Sequence, residues 1–449
     1  KAGKDNIFSR FLKYYGYTFT SADMNMTMSA ATGMNGALQV NELTAAGVLL
    51  DTIRFNVVSD SVNCTYNGQI RNSKNNPQYV FNSLFDGYVF DRGSGLNISI
   101  YDAANRLGIK LGATATIEDT GTPLHLLTDD IILGYKRFEA NENNYLFLGD
   151  DNRVSANLKL KSADGMGLQV YTNDENHDAL QDITVGLSNF DLSKITAVLP
   201  YFPKITGNMN GDFHAIQTKE NITLSSNLSV DKMTYEGCSL GDISTEFVYI
   251  PQEDGSHYLD AVLFSEGSQV GSLIGTYHPA GKGVLNADLK LEHLPMKIVN
   301  GFIPQQLFGF EGYADGSMTV RGELSKPHVD GEVFLDSMYM VSVPYGVKLR
   351  FSDDPVRVVD SKLMLENFEV FGHNDNPLNI YGNINFADLD NVYMDVRMKA
   401  TNYQLINSKE NYRSVAYGKA YIDFYGSVRG KLDNLMMRGR LNVLGSTDV

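Results

Sequence analysis

Apolar and polar residues alternate with a period of two along most of this chain, and the cleanest example runs from Val392 to Ala400. Successive side chains of a β-strand point to opposite faces of the sheet. The stretch therefore predicts a strand with one dry face and one wet face. Its apolar positions are Val392, Met394, Val396, Met398 and Ala400.

The same alternation recurs from about residue 95 to the end of the chain, interrupted by turn-forming pairs such as Asp164-Gly165 and Asp315-Gly316. Helical spacing is confined to three short stretches, 8–15, 191–198 and 295–302. So little helix argues against a fold of alternating strands and helices. The pattern predicts an all-β chain with a mostly antiparallel sheet and few short helices.

Weak internal repeats indicate how the chain is organised. Gly207-x-x-x-Gly211 has a counterpart in Gly312-x-x-x-Gly316, and the element from Gly322 to Val333 has one from Gly430 to Leu441. Both pairs are about 105 residues apart. We predict an irregular β-region over residues 1–95, a β-rich segment over 96–180, and a repeat-bearing β-region over 181–449.

Strands with one apolar and one polar face must bury the apolar face, and three architectures meet that need. The faces can meet in pairs as tandem β-sandwiches, surround a membrane barrel, or form the floor of an open trough. A membrane barrel needs strands of about 9–11 alternating residues with aromatic girdles, and many of the alternating runs here are shorter. Periodicity alone leaves the sandwich and the trough both open.

Charge and composition narrow the classes of partner. The 449 residues carry a net charge of −16, which argues against nucleic acid and against docking on anionic lipid headgroups. No run approaches the roughly 18 apolar residues of a spanning helix. Because the first residues are polar and lack an initiator Met, we expect an excised piece whose membrane anchor is absent. Cys64 and Cys238 are expected to be separate thiols rather than a disulfide.

Candidate chemical motifs favour structural explanations. Gly237 to Gly241 matches the G-x-S-x-G pattern with Ser239 at its centre, but a strand-like segment follows it where a nucleophile elbow needs a helix. Oxygen-rich stretches at Asp174–Asp178 and His373–Asn376 lack the spacing of a calcium loop. We predict no catalytic residue, no metal site and no cofactor.

The element Gly322–Val333, with its run-up Phe310–Arg321, resembles the C-terminal region of the TamB family of the AsmA-like superfamily. The likeness is best over 182–449, although the second copy of the element has Leu435 where the first has proline. The resemblance implies a sheet folded into a U-shaped, taco-like groove with a hydrophobic inside. It also implies an inner-membrane anchor, a location in the Gram-negative periplasm, phospholipid as cargo, and a BamA-like outer-membrane barrel as partner.

Pattern and resemblance together predict a non-enzymatic lipid conduit that shields acyl chains between the inner and outer membranes and can aid outer-membrane protein assembly. The alternative is a tandem β-sandwich surface module that binds a protein or a glycan. The residues expected to line the groove are Leu285, Leu289, Leu291, Leu378, Ile380, Val392, Met394, Val396, Met398, Ile422 and Phe424.

Overall fold

The structure is a computed structural model that describes residues 2–4, 6–29, 33–60, 62–173, 175–176, 178–303, 308–342, 345–410, 415 and 417–448. It confirms the predicted class, because the chain is all-β with antiparallel strand pairing and a few short helices. The chain divides into two compact units, Lys1–Asn221 and Ile222–Val449. The boundaries predicted at residues 95 and 180 both fall inside the first unit.

The first unit holds strands β1 to β17, most of which pair with the strands next to them in sequence. Their bounds are β1 Ala2–Gly3, β2 Tyr17–Thr18, β3 Ser21–Ser29, β4 Gly33–Ala45, β5 Val48–Ser59, β6 Cys64–Asn72, β7 Phe81–Phe90, β8 Gly93–Tyr101, β9 Leu107–Thr116, β10 Gly121–Leu126, β11 Ile131–Leu133, β12 Lys136–Ala140, β13 Tyr145–Gly149, β14 Val154–Ser162, β15 Gly167–Thr172, β16 Gln181–Asp191 and β17 Ile205–Gln217.

The second unit holds strands β18 to β31, which follow the same meander. Their bounds are β18 Ile222–Tyr235, β19 Cys238–Pro251, β20 His257–Ser265, β21 Ser268–His278, β22 Val284–Pro295, β23 Gly309–Glu323, β24 His328–Ser342, β25 Val347–Phe351, β26 Val356–Val359, β27 Lys362–Phe371, β28 Pro377–Asn385, β29 Tyr393–Ser408, β30 Gly418–Lys431 and β31 Asn434–Val443.

Short helices form at the three predicted places. Helix α1 spans Ile7–Tyr14, and the Asn6 side chain caps it by accepting from the Ser9 backbone N–H at 2.7 Å. Helix α2 spans Leu192–Thr196, and Met296–Phe302 forms a 3-10 helix. None of the helices in the described ranges has both the length and the apolar character that crossing a bilayer requires.

Residues 1–95 are more regular than the sequence indicates, since they form long strands such as β4 and β5. The alternation in β4 is hidden by one residue. Glu42 has a φ of 53° and lies between the apolar residues Val40 and Leu43, which are three positions apart. This spacing shifts the apolar series by one position and masks a period of two, although the pairing of β4 with β5 stays in one register.

Bulges that shift the register occur in other strands, and four of them share one hydrogen-bonding arrangement. A residue with φ between 47° and 54° donates its backbone N–H to a side-chain oxygen on the next strand. We call this contact a bulge latch. It compensates a conformation that costs a side-chain-bearing residue roughly 1–2 kcal/mol. The four latches are Asn189–Asn210 at 2.7 Å, Lys232–Asp242 at 2.8 Å, His293–Asp315 at 2.7 Å and Asn402–Asp423 at 2.8 Å.

The latches explain the weak Gly-x-x-x-Gly repeat. Asn210 and Asp315 occupy the position just before the second glycine in the two copies, and each accepts the latch hydrogen bond. The repeat therefore encodes a bend in a strand pair, because a bulge turns the strand and increases its twist.

Fully buried hydrophobic clusters are small. In the first unit Ile131, Phe138, Leu160 and Met166 form one, with Ile195 of α2 packed against it. In the second unit a cluster forms around Ala400, Tyr403 and Ile422. Most other apolar side chains of the strands are only half-buried.

Candidate functional site: the apolar face of the sheet

A row of residues crosses the second unit from β19 to β31 without a polar side chain. Each member is the direct ladder partner of the next, so the row lies on one face of the sheet. We call this side of the sheet the apolar face. The row is Phe247, Ala261, Leu273, Leu289, Met318, Gly331, Val358, Leu363, Ile384, Met394, Gly430 and Leu435.

The neighbouring row, one residue along each strand, belongs to the opposite face and is mainly polar. Asp288 pairs with Thr319, which pairs with Asp330. In the row on the other side of the apolar one, Asp395 pairs with Arg429, and their side chains form an ion pair of 2.7 Å. The wet and dry faces expected from period-two alternation are thus present strand after strand.

The residues predicted as lining fall on this face in register. Val396 faces Val428 of β30, and Ile380 faces Met398 across the β28–β29 ladder. Val392 lies just before β29 begins. The predicted set also occupies β22, β28 and β30, namely Leu285, Leu289, Leu291, Leu378, Ile422 and Phe424.

Sequence reasoning missed the strands that join these segments. Met318, Val358 and Leu363 connect β22 to β28 on the same face. Val358 lies in β26, a strand of only four residues, which is too short for its alternation to stand out. The register of β26 with β24 could be read only from the structure.

The first unit carries a similar row from β3 to β9. At Gly68 the row has no side chain, and a Cβ there would lie 2.2 Å from the ring of Phe85. The Phe85 ring instead lies across the glycine and stacks with Phe55 at 6.3 Å. The row is Met24, Leu38, Phe55, Gly68, Phe85, Ile98 and Leu111.

No second layer covers most of this surface among the described residues. Leu289, Met318 and Leu363 are half-buried, whereas side chains between two packed sheets would be almost fully buried. The chain exposes 26046 Å². Two compact bodies, each with half the mass of this chain, would expose roughly 20,000 Å² in total. The excess fits sheets that leave the apolar face open.

Toward one edge of the second unit, however, the protein's own side chains fill the apolar face. Tyr403 is 2% exposed and packs with Ala400, Ile422 and Leu349 of β25. Burial raises the pKa of the Tyr403 hydroxyl well above its ordinary value. Three predicted lining residues thus belong to a packed cluster or lie against it, namely Leu378, Ile422 and Phe424.

In the first unit, the segment after α2 closes the edge at which β6 and β16 end. Tyr201 donates its hydroxyl to the backbone carbonyl of Leu49 at 2.6 Å and accepts from the Asn72 amide at 2.6 Å. Tyr79 donates to the Ala197 carbonyl at 2.9 Å. These contacts join residues more than a hundred positions apart, so the segment after α2 lies against the edge residues of β5 and β6.

The second unit has a comparable element at the edge where β18, β20 and β22 end. The 3-10 helix Met296–Phe302 lies against β19 and β23. The side-chain amide of Asn300 donates to the Phe310 carbonyl at 2.9 Å and accepts from the Phe310 backbone N–H at 2.7 Å. One edge of the sheet is therefore covered by a short helix in the second unit and by the segment after α2 in the first.

The candidate chemical motifs have structural roles. Ser239 lies in β19 directly after a turn, so the strand-to-helix junction of a nucleophile elbow is absent there. Cys64 and Cys238 are free thiols. His373–Asn376 forms a loop in which Asn374 and Asn376 donate to the Asn402 carbonyl. Asp174 and His177 lie outside the described residues, and within the described ones no group of side chains is arranged to hold a metal ion.

Comparison of the chain with protein-family models, with curated proteins and with solved structures found no match.

Proposed function

We propose that this chain is a non-enzymatic lipid-carrying segment whose apolar face shields the acyl chains of a phospholipid from water. The observation that carries the proposal is the row from Phe247 to Leu435, in which every ladder partner is apolar or glycine. Such a row provides a dry path across successive strands, and the half-buried side chains along it leave surface for a guest.

The energetics favour an acyl guest that can move. Each CH₂ group withdrawn from water contributes about 0.8 kcal/mol, so two tails of about sixteen carbons gain about 25 kcal/mol of gross transfer free energy. Because adjacent strands present similar side chains, displacement of a tail by one strand exchanges one apolar contact for another. A uniform surface therefore binds strongly without a deep local minimum.

The cellular setting of the proposal comes from the TamB-like element at Gly322–Val333. A periplasmic segment between the inner and outer membranes would need this kind of surface, since phospholipid must cross an aqueous space. The inner-membrane anchor and the BamA-like barrel partner remain part of that proposal. Support for them lies in the resemblance alone.

The proposal predicts that lipid travels with the purified chain, and two neighbouring residues of β23 offer a matched test. Met318 lies on the apolar face and Thr319 on the polar face, and both are half-buried. We expect Met318→Lys to lose most of the lipid seen with the unsubstituted chain in native mass spectrometry, because an ammonium group within the path carries a large desolvation cost.

Thr319→Lys is the control and should retain its lipid, since its ammonium group faces water. Circular dichroism and thermal melting establish that both variants fold. Equal lipid content in the two variants, or no lipid in the unsubstituted chain, would contradict the proposal.

The tandem β-sandwich module is the second candidate function. It needs facing sheets with filled interiors, and outside the two hydrophobic clusters the strands carry half-buried apolar rows. No described feature favours glycan or protein binding over an acyl guest.

A further inference from the structure

Four cationic side chains cluster on the polar face of the last three strands. Arg397 of β29 and Arg438 of β31 lie on either side of the same β30 residue. Lys399 and Arg440 lie on either side of Tyr425, two positions away. With strands about 4.8 Å apart and alternate residues about 6.7 Å apart, the four Cα atoms mark a rectangle of roughly 10 Å by 7 Å. We call these four residues the basic patch.

The charges of the basic patch are not balanced within the protein. All four side chains are exposed, and none forms an ion pair with any residue that the structure describes. The nearest carboxylates on this face are engaged elsewhere, because Asp395 pairs with Arg429 at 2.7 Å and Asp423 accepts the Asn402 latch. In a chain with a net charge of −16, a concentration of unpaired cations suits an anionic partner.

Exposed apolar groups accompany the charges and indicate what kind of anion fits. Tyr425 is 65% exposed and Met436 is 56% exposed on the same face as the patch. On the reverse side of β31, Met437 is 66% exposed and Leu441 is 54% exposed. A nucleic acid would cover the cations and the tyrosine but leave these aliphatic groups in water. A bilayer interface accommodates cations, tyrosine and aliphatic side chains together.

We propose that the basic patch docks strands β29 to β31 onto a bilayer rich in anionic phospholipid. Strand β31 pairs with β30 along one edge, and its residues are exposed on both faces. The apolar row from Phe247 to Leu435 reaches this strand at Leu435, so docking there brings that part of the row close to the lipid headgroups. This proposal deepens the lipid-carrying function and rests on it, because it assigns a membrane to the part of the row that crosses β29 to β31.

Vesicle co-sedimentation of the whole chain tests the patch. We expect binding to phosphatidylcholine vesicles that contain about 30% phosphatidylglycerol, weaker binding at higher ionic strength, and no binding to phosphatidylcholine alone. The double variant Arg438→Gln/Arg440→Gln should bind the anionic vesicles about 25-fold more weakly. Both residues are exposed on β31, so the substitutions remove no packed side chain and the sheet is expected to fold normally.

The matched control is Lys219→Gln/Lys326→Gln, which removes the same charge from exposed positions on two turns. It should bind like the unsubstituted chain. The proposal is overturned if the two double variants bind equally, if the unsubstituted chain does not bind anionic vesicles, or if a single-stranded oligonucleotide displaces it from them at equal charge concentration.

Lipid content in the same preparations separates the two proposals. If the patch variant retains co-purified lipid but loses vesicle binding, docking is supported as a step distinct from carrying. If no preparation contains lipid while vesicle binding still depends on the patch, the lipid-carrying function fails and the docking surface stands.

Discussion

The Tyr403 hydroxyl lies inside a hydrophobic cluster and has no hydrogen-bond partner among the described residues. A buried polar group without a partner loses its hydrogen bonds to water and gains none in return, which costs about 1–3 kcal/mol. At this position the rest of the ring packs well, since Tyr403 is 2% exposed. The aromatic ring therefore stabilises the cluster while its hydroxyl opposes it.

We predict that Tyr403→Phe raises the free energy of unfolding by about 1 kcal/mol, because it removes the unpaired hydroxyl and keeps the ring. Urea unfolding followed by circular dichroism measures the change. Tyr381→Phe is a suitable control, since the Tyr381 hydroxyl donates to Asn367 at 2.5 Å and the residue is 45% exposed. A destabilised Tyr403→Phe variant would mean that the hydroxyl has a partner in solution.

Bulge latches operate at the level of the strand pair. Each joins a left-handed residue to a side-chain oxygen on the following strand, as His293 joins Asp315. Without the acceptor, the N–H of the bulged residue would lose its partner in the sheet, and the left-handed backbone would be left without compensation. A carboxylate acceptor strengthens the bond, since charge-assisted hydrogen bonds are shorter and stronger than neutral ones.

We predict that Asp242→Ala, Asp315→Ala and Asp423→Ala each lower the free energy of unfolding by about 1 kcal/mol through loss of one latch. Asp288→Ala removes a carboxylate from an exposed position of β22 and should change the free energy of unfolding by less than about 0.5 kcal/mol. Chemical denaturation of the four variants measures these changes in the free energy of unfolding. Equal effects in all four would show that the latches do not stabilise the strand pairs.

On the scale of the whole molecule, rows of apolar side chains on one face of the sheet occur in both units. Within each unit the ladder passes from strand to strand, and small buried clusters take the place of one central core. Continuity of this kind leaves few internal boundaries at which a folded fragment could separate. Tandem sandwiches, in contrast, would be joined by linkers about every hundred residues.

We therefore predict that limited proteolysis yields no stable fragment smaller than one unit, that is, Lys1–Asn221 or Ile222–Val449. A stretch of about a hundred residues would carry an apolar face on a new, unpaired sheet edge and would not persist. Mass spectrometry of the digest identifies the fragments. Protected species of about 100 residues would favour the sandwich architecture.

Much of the fold follows from the sequence, because alternation depends only on neighbouring residues. The Val392–Ala400 stripe predicts the first half of β29, and the spacing near Pro200 and Pro304 predicts the two short helices α2 and Met296–Phe302. The latches escaped prediction since each depends on a pairing between strands. A left-handed residue such as Lys232 gives no sign of its conformation until its partner Asp242 is known.

The sequence predicted which face of the sheet carries the candidate site, but not where the protein's own side chains fill that face. Val396, Met398 and Ile380 were expected on one side of the sheet, and the register places them there. The filling of that side near Ile422 depends on Leu349, which lies in a strand distant in sequence. The basic patch was hidden for a related reason, because a net charge of −16 averages over cations that only strand register brings together.

The register between β28, β29 and β30 has an evolutionary consequence. Ile380 faces Met398, and Met398 faces Gly426. A single residue inserted within one of these strands would turn every later side chain of that strand to the opposite face of the sheet. Lysine or arginine would then lie on the apolar face. Natural variants should therefore gain or lose residues within strands in even numbers, and otherwise only at hairpin tips or where a bulge takes up the extra residue, as at Asn402. Selection can therefore distinguish odd from even changes in the length of a strand, even where no individual side chain is irreplaceable.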